Sequence, residues 1–73
     1  MPETHLLKTL PLQIMTSVDH HRAAAEHLEE AAEYHRLAAS HYTYGDYQQA
    51  NENALLAKGL ARRAEEHCLL AME

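Results

Sequence analysis

The chain has 73 residues and a formal charge of −5, with 47% apolar residues, no Phe, no Trp and a single cysteine, which leaves room for one domain and excludes a disulfide framework. Six Lys and Arg scattered along it form no basic stripe for a nucleic-acid backbone, and no run approaches the roughly 20 apolar residues of a membrane span. Met1 to Ser17 lacks the basic and long apolar stretches of a secretory leader, so a cytoplasmic protein with neither nucleic-acid nor membrane partners is expected.

The first sixteen residues, MPETHLLKTLPLQIMT, hold both prolines and a loose alternation of Leu10, Leu12 and Ile14, which predicts an extended N-terminal arm over 1–16. The remainder, 17–73, reads as one long antiparallel helical hairpin. Thr16 with Asp19 three residues later resembles a capping box with Asp in place of Glu, and no Pro or Gly follows until Gly45, so a first helix spans 17–44. On its wheel Arg22, Glu26, Glu29, Glu33, Arg36 and Ser40 share one side. Ala24, Leu28, Ala31, Ala38, Tyr42 and the histidines share the other. Arg22 with Glu26 and Glu33 with Arg36 form surface pairs worth a few tenths of a kcal/mol each, roughly.

Gly45 can take the left-handed conformation that ends a helix, and Asp46 can cap the next one. A second helix then spans 46–72, interrupted by Gly59, whose missing side chain suggests close approach of another backbone. Tyr47, Ala50, Ala54, Ala57, Ala61, Ala64, Cys68 and Ala71 recur at alternating spacings of three and four, an unbroken seam of small residues. Leu55 with Leu69 and Leu56 with Leu70 flank it on two sides. A two-helix layer cannot cover both of its faces, and a core this poor in large side chains needs a staple. Without disulfides or paired CxxC motifs, the staple expected is a homodimer closing a four-helix bundle.

From Tyr34 to Ala57 the residues Leu37, Ala38, Tyr42, Gly45-Asp46-Tyr47, Ala50, Ala54 and Ala57 resemble a single tetratricopeptide repeat, although that architecture stacks about three or more units. The rhythm from His20 to His67 is similar to that of small His- and Ala-rich bacterial helical-hairpin proteins whose role is uncharacterised. Where those proteins place histidines in the second helix, this chain has Asn53, Leu55, Lys58 and Leu60. The resemblance implies a bacterial source and a helical hairpin.

Seven histidines are the compositional oddity, and at 100° per residue His20, His27, His35 and His41 fall in the arc of Ala24, Ala31 and Ala38, with His21 at its edge. Interfacial histidines bonded to Tyr34, Tyr42, carbonyls or one another are the plain reading, and a transition-metal site is the alternative, since imidazole suits Zn, Cu and Ni. No His-x-x-x-His or Glu-x-x-His occurs, so a site must draw ligands from both helices. Pairing about Gly45 sets His67 and Cys68 opposite positions 22–24. The candidate ligands are therefore His20, His27 and His67, with Cys68 as a further thiolate and Glu30 as an oxygen donor. A third reading is pH-sensitive assembly, in which protonation of interior histidines loosens the dimer.

The tyrosines Tyr34, Tyr42, Tyr44 and Tyr47 gather at the turn and cap the closed end. No phosphate loop, serine elbow or paired general acid and base is present, and Glu26, Glu29, Glu30 and Glu33 read as a solvated face. The expected function is a small non-enzymatic, homo-oligomeric structural or interaction module, with any further protein partner left open.

Overall fold

The computed structural model describes residues 16–73, so the arm assigned to 1–16 lies outside the described residues except for Thr16. Two helices, α1 (Ser17–Thr43) and α2 (Tyr47–Met72), pack against each other as a hairpin. Each is about 40 Å long at 1.5 Å per residue. Neither is long and apolar enough to cross a membrane.

The start of α1 is set by reciprocal bonds. Thr16 is extended (φ −85°, ψ 169°), and its hydroxyl accepts the Asp19 N–H at 3.1 Å while the Asp19 carboxylate accepts the Thr16 N–H at 3.2 Å. Two of the four unpaired donors at the helix start are thereby used, and the carboxylate sits at the positive end of the helix dipole. The Thr16 backbone N–H, followed by the Thr16 side chain, holds the Asp19 carboxyl below its ordinary value of 3.8.

Reversal of the chain depends on one glycine. Gly45, at φ +84°, is left-handed; its N–H donates to Tyr42 O at 3.2 Å, and the next N–H, of Asp46, reaches back to His41 O at 2.8 Å. This 6→1 and 5→2 pair is the Schellman arrangement, which consumes the last carbonyls of α1 within the turn. The helix ends are Thr43 and Tyr47, each one residue inside the bounds read from the sequence. Asp46 stands at the N-cap without the expected side-chain cap bond. Its carboxylate turns back toward α1, where it lies 3.5 Å from His41 Nδ1.

Between the helices the buried residues are all alanine: Ala24, Ala31 and Ala38 from α1 meet Ala50, Ala57 and Ala64 from α2. The period is seven on both sides, as a near-antiparallel 3.5-residue seam requires. Of the other seam positions, Ala54, Ala61, Cys68 and Ala71 are half-buried and Tyr47 is exposed, because a single partner helix covers only the centre of the stripe. Leu28, expected to face inward, is 52% exposed for the same reason. Glu33 and Arg36 pair at 2.8 Å on the outer face, whereas Arg22 and Glu26 do not close. Apart from the neighbouring backbone of its own helix, no described atom lies within 4 Å of where a Cβ at Gly59 would stand, so the partner helix makes no close approach there.

Two consequences can be measured. Gly45→Ala forces a Cβ into the left-handed region and is expected to cost about 1–2 kcal/mol in chemical denaturation. Because the folded Asp19 carboxyl titrates low, its contribution is complete above pH 3.8 and is lost as pH falls through the depressed value. Asp19→Asn is expected to remove that part of the acid transition followed by circular dichroism.

Candidate functional site

The strongest convergence of reactive side chains lies at the open end of the hairpin. His20, in the first turn of α1, and His27, two turns further on, both face His67 near the end of α2. The capping box fixes where α1 begins, and the Ser17 hydroxyl donates to the Ala71 carbonyl at 2.9 Å, tying the two helix ends together. His20 Nδ1 and His67 Nδ1 stand 2.9 Å apart, with ring centroids at 5.2 Å and planes tilted by 39°. A contact of that length between two neutral rings requires the Nδ1–H of one to donate to the Nδ1 lone pair of the other.

His27 takes a different part. Its ring stacks on His67 at 5.5 Å and 25°, presenting a face rather than a nitrogen. The His27 Nδ1 atom is buried without a hydrogen-bond partner. Glu30, one turn along, reaches 3.7 Å from that nitrogen, which is too long for a hydrogen bond. The two α1 rings, roughly 10.5 Å apart along the helix axis, are thus bridged by the single His67 ring.

Of the residues read as candidate ligands, His20, His27 and His67 come together and the other two do not join them. Cys68 points along its own helix, its Sγ 4.0 Å from Met72 Sδ, and Glu30 is an exposed neighbour of His27 alone. Among the described residues no group of three or more His, Cys, Asp or Glu side chains is placed to hold a metal ion. Of the other histidines, His35, expected in the interior arc, is exposed, as is His21 at the arc's edge, while His41 is half-buried beside Asp46.

Other features were not legible from residue types. An open groove of about 650 Å³ lies on one broad face, in the half of the hairpin nearer its open end, floored by Ala24, Ala25, Leu28, Ala61 and Ala64 and rimmed by polar side chains that include Lys58 and Glu65. A smaller one on another face involves Tyr34, Leu56, Gly59 and Leu60. At the closed end Tyr42 donates to the Asn51 side-chain oxygen and lies 6.0 Å from the Tyr47 ring, while Tyr44 is exposed. Asn51 could have been found from the pairing rule about Gly45, which sets it near the level of Tyr42.

No protein-family model, no curated protein and no solved structure matches the chain. The site must therefore be read from its own chemistry.

A double-mutant cycle with His20→Ala and His67→Ala, read by thermal unfolding, is expected to return a coupling of about 1 kcal/mol. Pairing either substitution with His35→Ala, on the exposed face, is expected to return none.

Proposed function

We propose that this chain is a non-enzymatic, homo-oligomeric helical module in which two hairpins pack groove to groove into a four-helix bundle. The observation that carries this reading is the composition of the hairpin's interior. Six alanines are its only buried residues among those described, while Val18, Leu28, Leu37, Leu55, Leu56, Leu69, Leu70 and Met72 are exposed. Each buried alanine contributes one methyl, about 1 kcal/mol at most, whereas fully burying one leucine contributes roughly 1.5–3 kcal/mol. The larger part of the available hydrophobic free energy is thus unused in a single hairpin.

The larger groove, at the open-end half of the hairpin, is the face assigned to the second copy. Its floor of Ala24, Ala25, Ala61 and Ala64 permits close helix approach, and Leu28 supplies a larger apolar contact. A two-fold axis at the level of Ala61 sets Lys58 of one copy opposite Glu65 of the other, which favours an isologous dimer. The negative net charge supports a module that works without nucleic acid, and neither of the two described helices is long and apolar enough to cross a membrane. Only His21 among the described histidines lines the groove, so protonating the His20, His27 and His67 cluster would act on the hairpin itself before it acted on the interface.

Light scattering is expected to return twice the 8.3 kDa chain mass at neutral pH. Ala61→Glu, which places a charge on the groove floor, is expected to reduce that mass to one chain and to lower the helical signal together with it. Lys58→Glu should weaken the dimer and Glu65→Lys in the same chain should restore it. A wild-type chain that is fully helical at 8.3 kDa would falsify the reading.

A further inference from the structure

We infer that His20 and His67 form a two-nitrogen chelate for a divalent copper or nickel ion across the open end of the hairpin, independently of the assembly state. The argument begins with distance. With metal–nitrogen bonds of about 2.0 Å, two ligands at a tetrahedral angle stand roughly 3.3 Å apart, and two cis ligands at a right angle stand roughly 2.8 Å apart. The 2.9 Å between His20 Nδ1 and His67 Nδ1 is nearer the right-angle separation, so neither helix need move; a turn of each ring about its own torsions redirects the lone pairs, which lie along the nitrogen–nitrogen line in the hydrogen bond, toward one shared ion. Right-angled nitrogen donors suit the square-planar or tetragonal geometry of Cu(II) and Ni(II), whereas tetrahedral Zn(II) would require the pair to spread.

Placement supports the same ligand set. The two nitrogens come from different helices, so an ion held between them fastens the end farthest from the Gly45 turn. Both rings are half-buried, which leaves the remaining coordination positions to solvent. His27 serves as a positioning residue: its ring, stacked at 25° on His67, limits the swing of that imidazole without aiming a nitrogen at the ion. Cys68 stays outside, its sulfur turned to Met72. In the free chain one Nδ1–H bridges the pair. When the ion replaces that proton, the proton passes through solvent to the same ring's Nε2, and both imidazoles remain neutral ligands.

The test titrates the full chain with CuCl2 or NiCl2, following visible absorption, electron paramagnetic resonance for copper, and melting temperature. One ion per chain is expected, with nitrogen coupling from two imidazoles and a raised melting temperature. His20→Ala or His67→Ala should weaken binding at least tenfold with helicity retained. Should alanine loosen the helix ends, His20→Asn and His67→Asn keep a polar atom near the Nδ1 position and should lose the ion equally. Cys68→Ser, Glu30→Gln, His5→Ala, His21→Ala and His35→Ala should leave affinity within about threefold. Binding that survives loss of His20 or His67, or that falls tenfold in any of the last five variants, overturns the assignment, as does a chain that binds neither ion.

Discussion

Contact between two alanine stripes is the constraint on which the rest of this structure depends. A methyl group lets helices approach closely and fixes their register, since Ala24, Ala31 and Ala38 can meet Ala50, Ala57 and Ala64 in few ways. The same small side chain buries little area, so the seam specifies geometry far better than it supplies stability. Leucines that would supply it stand on the flanks, where one partner helix cannot reach them. The hairpin is therefore well defined in shape and incomplete in energy, and the proposed dimer follows from that imbalance.

The register set by the seam also places the polar groups. A one-residue slip of α2 would move His67 about 100° around its helix and out of reach of His20 and His27. The 2.9 Å nitrogen contact and the Ser17 to Ala71 bond at the open end are thus consequences of the alanine pairing, with the Schellman turn fixing the other end.

Much of this was legible in the sequence because the relevant signals are local. The Thr16 and Asp19 spacing located the start of α1, Gly45 located the reversal, and the spacing of threes and fours located the seam. Counting outward from Gly45 brought His67 to the level of His20 and His27. What the wheel could not supply was how much of each arc a single neighbouring helix covers, and so Leu28, His21 and His35 lie more open than their angles suggest. Side-chain torsions were equally out of reach. Whether Asp46 capped its own helix or turned to His41, and whether Cys68 joined the histidines or lay along α2 toward Met72, depended on rotamers that residue spacing does not encode.

The single-glycine turn has a bearing on how the molecule comes together. Tyr42 and Asn51 are separated by nine residues of chain, His20 and His67 by 47, and Ser17 and Ala71 by 54. Contacts of short separation cost the least loop entropy, so the two helices can close as a zipper that starts at Gly45 and runs outward. The histidine cluster is at the far end of that zipper, the last part to form and the first to fray. A ligand gripping that end would act on the slowest-closing teeth, and its effect would be seen in hydrogen exchange near the termini of α1 and α2 rather than at the turn.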